Sequence, residues 1–494
     1  MHPLGQAQGA TNAADRIWHS WLLTMLRLCP YNPLPAVHTA HDRGDVLADI
    51  AEAVEDRSAR GIAAAIGRMV TSGVLPTDSR LPTVRSLSKA LGVSPTTVSE
   101  AWQTLAAVGA IEARGRLGTF VRQPVGPGGP RRYRRVTEGP GHFALDLSSG
   151  TPDPALLPDL GKVMAKVSRQ SLTSSYLDQP VLPDLDAHLR KVWPFPPEQL
   201  TVVDGAMDAL DRVAQIVVRL GDRVVVEHPT FPPLLDLLEQ LGAEIIGVDL
   251  DEDGMRVDGL AEALARQPSA VFLQPRAHNP TGVTMTAARR DELAALLQAS
   301  TAVVIEDDHS GEIAAGTLVS FGVAMPARTV HIRSFSKSHG PDLRLAAVGG
   351  AADVVTAVAN RRLLGPGWSS RILQAVLLGL LTDPATAATL ERARDQYSRR
   401  RRLVTEVLGE HGVPTAPGDG INLWMRVADE RSALITLAAQ GIGAAPGEPF
   451  MVRPDADSLR LTVGLLDGTS AEIRATARRL ADAAGFTPTR AGQR

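Results

Sequence analysis

The sequence predicts an α/β body built on a mainly parallel sheet, preceded by a small helix-turn-helix unit that carries a β-hairpin. From about Phe143 onward, apolar runs alternate with amphipathic stretches such as Pro232–Leu241 and Ala287–Ala299; the runs are Leu200–Val203, Val224–Val226, Ala270–Leu273, Ala302–Ile305, Thr329–Ile332 and Leu345–Val348. Strands that are apolar throughout are buried on both faces, the pattern of a parallel sheet covered by helices. Ahead of them, residues 58–123 hold short amphipathic helices separated by a glycine turn. Between the two, residues 124–142 have the proline, glycine and arginine density of a linker.

At 494 residues and 44% hydrophobic content the chain is long enough to bury more than one core. Its single cysteine, Cys29, excludes an intrachain disulfide and a cysteine metal cluster, so no metal site is expected and a reducing, cytoplasmic setting is. A net charge of −3 requires any nucleic-acid surface to be local. Ile17–Cys29 is the only stretch that imitates a targeting signal; it is too short to span a bilayer and is interrupted by His19 and Arg27. Residues 1–57 read as a poorly defined extension, and no membrane contact is expected.

Within residues 58–123, Ile62, Ile66 and Met69–Val70 recur at helical spacing, and Gly73 should end that helix. Leu81-Pro82-Thr83 opens a second helix with Val84, Leu87 and Leu91 on one face, and Gly92-Val93-Ser94 turns the chain. Pro95 then stands at a first turn, where helices accept proline, ahead of Val98, Ala101 and Leu105. Ala110–Ala113, Arg114–Gly118 and Thr119–Val121 read as a hairpin with a basic glycine tip. The stretches Leu81-Pro82-Thr83-Val84-Arg85 and Val93-Ser94-Pro95-Thr96-Thr97-Val98, with this wing, resemble the GntR-type winged-helix DNA-binding domain. Ser94, Thr96 and Thr97 at the start of the recognition helix suit phosphates and base edges, and Arg85, Arg114 and Arg116 suit phosphate or groove contacts; a solvated face is the competing account. Arg131, Arg132, Arg134 and Arg135 either extend DNA contact or keep the linker soluble.

In the body, Lys337 lies between two apolar strands, with Ser334 and Ser336 before it and Arg344 after it. A lysine so placed suits a Schiff-base amine beside an anion site. Gly205-Ala206-Met207 opens a helix after a strand, where free N–H groups bind phosphate. Asn279-Pro280-Thr281-Gly282, Glu306-Asp307-Asp308 and Ser458-Leu459-Arg460-Leu461 complete an ordered set that resembles the fold type I aminotransferases over residues 145–490. That resemblance implies pyridoxal 5′-phosphate as cofactor, anchored on Lys337. Asp307 would face the pyridine nitrogen, Asn279 the 3′-oxygen, and Phe231 would stack on the ring. Gly205, Ala206, Met207, Ser334 and Arg344 would take the phosphate, and Arg460 a substrate or effector carboxylate. Tyr176 matches a tyrosine reaching the neighbouring subunit's phosphate, with core filler as its alternative. His309 departs from the pattern, standing where the family has a tyrosine; an imidazole there would donate the same hydrogen bond yet titrate near neutrality.

A GntR-type winged helix fused to such a body, at residues 143–494 with a large lobe of about 190–365 and a small lobe of about 366–494 joined by part of 143–189, is similar to the MocR family of regulators. The resemblance implies a homodimer on double-stranded operator DNA that senses pyridoxal 5′-phosphate or an amino-acid-like effector. The rival account is an aminotransferase with an appended winged helix.

Overall fold

The structure is a computed structural model describing residues 46–71, 74–76, 78–107, 110–121, 130–137, 143–169 and 175–486. Expectations for Ile17–Cys29 and Gly73, and for most of 122–142, fall outside these residues. The chain divides into two compact units: residues up to Ala101 together with Ala113–Val121, and the remainder.

The first unit contains the helices Val46–Ala53, Ala59–Thr71, Val84–Leu91 and the first turns of Pro95–Ala107. Thr83 Oγ1 accepts the Ser86 N–H at 3.1 Å and opens the second helix of the motif, and Gly92 ends it at φ 68°, a conformation glycine adopts without strain. Ser94 Oγ then accepts the Thr97 N–H at 3.1 Å, so the recognition helix is capped by a residue also expected at DNA. Ile62, Ile66, Leu87 and Val98 are fully buried, the periodic positions read from sequence. Strands β1 (Ile111–Ala113) and β2 (Thr119–Val121) pair as the hairpin. Helix Val46–Ala53 was not expected; its buried Ile50 accounts for its packing on Val84–Leu91.

In the second unit, β3 (Leu145–Asp146) precedes a sheet made from β4 (Gln199–Val203), β5 (Arg223–His228), β6 (Glu244–Asp251), β7 (Gly254–Met255), β8 (Ala270–Leu273), β9 (Val303–Asp308), β10 (Thr329–Ser334) and β11 (Ala346–Gly350). Their order is β4-β11-β10-β9-β8-β5-β6-β7. The run β10-β9-β8-β5-β6 is parallel, β11 is antiparallel to both β10 and β4, and β7 is an antiparallel edge. Two antiparallel steps make β4 run with β10, so β4, β5, β8, β9 and β10 end on one edge. Val224, Val226, Phe272, Ile305, Val330 and Ile332 form a core with helix Ala206–Val217; full burial of each such side chain contributes roughly 1.5–3 kcal/mol.

A second core lies under the three-stranded sheet of β12 (Leu423–Arg426), β14 (Ala445–Pro446) and β15 (Ser458–Leu461), while β13 (Ile442–Gly443) pairs with β3. Helix Ser470–Ala484 covers it, begun by a Thr469/Glu472 capping box and ended by Gly485. Among the described residues no single helix is long and apolar enough to cross a membrane, and no group of side chains could hold a metal ion.

The linker expectation needs amending. Arg131–Thr137 is a helix, and Arg132 and Arg135 pair with Glu239 and Glu448 of the body. These two arginines hold the helix on the body, a role that the sequence did not suggest.

Candidate cofactor-binding site

Asp307 is the next-to-last residue of β9, buried, with Oδ2 accepting from Gln274 Nε2 at 2.7 Å. Gln274 directly follows β8, and its Oε1 accepts the Asn279 N–H at 2.8 Å, so one amide sets the spacing of Asp307 and Asn279. Two oxygens are left without partners, Asp307 Oδ1 and Asn279 Oδ1, both buried. An orphaned buried polar atom costs about 1–3 kcal/mol, so a pair of them marks a place for a polar ligand. Burial pushes Asp307 up to about 6, although Gln274 and Lys337 act against it. Behind Gln274, Glu227 accepts that residue's N–H at 2.8 Å, and burial, with the Asp307 charge, pushes Glu227 up to about 8.

Lys337 follows β10 in a turn. Burial brings its amine down to about 8; Asp307 opposes this and Arg460 adds to it. The structure therefore gathers Asp307, Lys337 and Arg460 from three distant segments.

His309 is a correction. Its Nε2 donates to the Ala277 carbonyl at 3.0 Å, which fixes Nδ1 as the acceptor of the Ser310 hydroxyl at 3.1 Å. Both ring nitrogens are engaged, and burial, followed by Lys337, holds the ring well below its ordinary range. That hydrogen-bond pattern and the burial both favour the neutral ring.

At the other end of the site, Gly205 stands at φ 102° before helix Ala206–Val217, whose first-turn N–H groups at Ala206 and Met207 have no acceptor one turn earlier in the helix. Arg344, itself left-handed at φ 48°, donates to the Asp204 carbonyl at 3.3 Å. The left-handed backbone at Gly205 favours glycine, and a Cβ there would lie 3.0 Å from that guanidinium, which would have to give by a few tenths of an ångström. Ser334 is buried at the end of β10 and Phe231 is half-buried at the start of helix Pro232–Gln240.

Arg460, on β15, is 3% exposed, and no carboxylate pairs with it among the described residues. It donates to the Ser148 carbonyl and, at 3.4 Å, to Asn422 Oδ1; Nε has no partner and Phe450 lies 5.5 Å from the guanidinium. Burial brings it down to about 10. Gly150 gives it room, since a Cβ there would overlap Nη1. Sequence reasoning missed Arg401, a buried arginine that donates to the Thr281 carbonyl at 3.1 Å and to that of Asn422, joining the Asn279 loop to the Arg460 arm. Tyr176 is 89% exposed, which removes the core-filler alternative; its ring lies 5.8 Å from Trp368.

On the first unit, Arg85, Ser94 and Thr96 are exposed and Thr97 is half-buried. Arg114 is paired with Asp78 at 2.6 Å and lies over the Phe120 ring, an engagement that sequence did not reveal. The Arg116 side chain lies outside what the structure describes.

A winged helix-turn-helix ahead of a fold type I body defines a class of DNA-binding regulators with an aminotransferase-like domain. The model of aminotransferase class I and II matches residues 144–480, and that of the gntR family of bacterial regulatory proteins matches residues 58–121. The vitamin B6 salvage pathway transcriptional repressor PtsJ of Salmonella typhimurium is 34% identical over 423 residues, covering 84% of this chain and 96% of that protein. The pyridoxine biosynthesis transcriptional regulator PdxR of Corynebacterium glutamicum is 29% identical, covering 70% and 77%. Among solved structures, the α-aminoadipate aminotransferase LysN of Thermus thermophilus superposes with a TM-score of 0.63 at 24% identity, over 71% of this chain and 94% of that one, and shares the fold. The chain belongs to the MocR-type transcriptional regulators, GntR-family proteins that carry an aminotransferase class I and II domain. Pyridoxal 5′-phosphate is the cofactor implied by that domain, and the orphaned oxygens of Asp307 and Asn279, with the Lys337 amine close enough for its charge to act on Asp307, fit it.

Proposed function

We propose that this regulator senses the occupancy of its cofactor site, by pyridoxal 5′-phosphate alone or together with an amino compound bearing a carboxylate, and alters its hold on operator DNA accordingly. The observation that carries the reading is the pair of partnerless buried oxygens, Asp307 Oδ1 and Asn279 Oδ1, beside a lysine amine brought down to about 8. The names of the Salmonella and Corynebacterium relatives, a vitamin B6 salvage repressor and a pyridoxine biosynthesis regulator, support the cofactor as effector.

When bound, the cofactor supplies an aldehyde for amines and an electron-withdrawing ring. Lys337 is the amine that anchors it. Asp307 holds a proton toward the ring nitrogen, and Asn279 and Phe231 orient the ring. The N–H groups of Ala206 and Met207, with Gly205, Ser334 and Arg344, hold the phosphate. Arg460, with Nε free, receives the carboxylate of an effector in the bidentate geometry that guanidinium favours. His309, neutral and engaged, packs at the site without moving a proton. Exposed Tyr176 and Leu177, at 89% and 95%, are where a second copy would seat, bringing Tyr176 to the partner's phosphate site in a cytoplasmic homodimer.

The test is the visible absorbance of the protein with added pyridoxal 5′-phosphate, followed by borohydride reduction and peptide mapping, with turnover assays on amino and keto acids alongside. Cofactor fixed on Lys337 without appreciable turnover supports the sensor. Fixation elsewhere overturns the site, and rapid transamination favours the appended enzyme.

A further inference from the structure

The helix Arg131–Thr137 follows the operator-binding unit in the chain and belongs to the second compact unit, where its contacts fall on helix Pro232–Gln240 and on the segment 445–452. Asp236 accepts the N–H groups of Arg132 and Tyr133, each at 3.1 Å, and so caps the helix from the body. Arg132 pairs with Glu239 at 2.7 Å and donates to the carbonyls of Met451 at 2.7 Å and Pro449 at 3.4 Å. Arg135 pairs with Glu448 at 2.6 Å. Val136 is buried with Ala445 and Phe450, against Trp424.

The other face of the same segment touches the cofactor site. Phe450 lies 5.5 Å from the Arg460 guanidinium, and Arg460 is the register partner of both Trp424 and Ala445. The Phe450 carbonyl accepts the Thr230 N–H at 2.9 Å, next to Phe231, and the Val452 N–H goes to His228 Nδ1 at 3.2 Å. One strip of backbone thus has the ring-side loop and the carboxylate arginine on its inner face and the connecting helix on its outer face.

We infer that Asp236, Glu239, Glu448 and Phe450 form a docking surface for the helix Arg131–Thr137, through which occupancy of the cofactor site is passed to the operator-binding unit. This rests on the sensor reading above. An effector shifts an equilibrium only if the two states differ where it binds, and a packed element shared by the effector site and the connecting helix can carry that difference along the chain. Phe450 is such an element: a shift that accommodates a ligand at Phe231 or Arg460 changes the packing of Val136 and the carbonyls that hold Arg132.

The experiment compares the wild-type chain with Arg132→Met/Arg135→Gln and, separately, Asp236→Ala, none of which faces the cofactor. Each protein is titrated with pyridoxal 5′-phosphate, first by absorbance and then by operator affinity with and without cofactor at fixed salt. Amide hydrogen exchange over 131–137 is followed in the wild type. Cofactor absorbance and affinity should be retained in the variants. The ratio of operator affinities, of the order of 5- to 150-fold in coupled proteins, should fall to about one, and exchange over 131–137 should change on adding cofactor to the wild type. A wild-type ratio preserved in both variants, or exchange that ignores the cofactor while operator affinity responds, overturns the coupling and leaves the sensor reading standing. A wild type that binds cofactor with no change in operator affinity overturns both.

Discussion

Lys337 is charged or neutral according to groups drawn from the whole body. With its amine brought down to about 8, the neutral form that reacts with the cofactor accumulates as pH rises through 8. The rate at which pyridoxal 5′-phosphate becomes borohydride-fixable should therefore rise to a plateau above about pH 8 instead of climbing toward 10.5. Arg460 depresses the amine, so Arg460→Met should move the midpoint upward; an unmoved midpoint would show that the two residues do not act on each other. Gln274→Leu leaves both Asp307 Oδ2 and the Asn279 N–H unpaired, and should destabilise the chain by about 1–3 kcal/mol per group in denaturant titration while weakening cofactor affinity. Lys337, Asp307 and Arg460 were legible in sequence because each sits in an ordered motif. Gln274 and Arg401 were not, since an amide before Pro275 and an arginine in an Arg-rich helix have no pattern of their own. Gln274 acquires its role only when β8 and β9 lie side by side, and the rule that sites gather at the carboxyl ends of strands was the one signal toward it. His309 was misjudged because sequence shows the ring and not the carbonyl that fixes its proton.

At the level of elements, the buried strands and the helix-turn-helix followed directly from apolar periodicity. Strand β6 was passed over because Glu244–Asp251 mixes charges with half-buried positions near the sheet's edge. Helix Arg131–Thr137 was hidden in a linker-like composition; seven residues make no stable helix alone, and this one depends on the Asp236 cap and on Val136 being buried. In the recognition element, Ser94 caps the helix that it was expected to aim at DNA, and Ser94→Ala should cost about 1 kcal/mol of stability as well as operator affinity. Arg85 is exposed with no ion pair among the described residues. Arg85→Gln should weaken binding across all DNA sequences and lower the salt slope by about one. An unchanged slope in binding titrations at graded salt would remove Arg85 from the phosphate contacts. Arg114→Gln, which first releases Asp78 and Phe120, should show in hairpin stability before it shows in the slope.

For the whole molecule, the two compact units make a regulator whose DNA end and cofactor end are separately built, with the helix Arg131–Thr137 docked within the second. A winged helix ahead of an α/β body could be expected from periodicity and motifs, whereas the contacts proposed to couple them could not, because they join residues about 100 to 320 positions apart in sequence. The exposed Tyr176 and Leu177 lead to the expectation of a dimer and of an operator with two half-sites; footprinting should find both. The central claim, that the body reports cofactor occupancy to the DNA-binding unit, is tested most directly by one titration. Operator affinity is measured at fixed salt with and without pyridoxal 5′-phosphate for the wild type, Lys337→Ala and Arg344→Ala. The account predicts a cofactor-dependent affinity in the wild type that is blunted in both variants, with winged-helix folding unchanged. Identical affinities throughout, with cofactor demonstrably bound to the wild type, would contradict it.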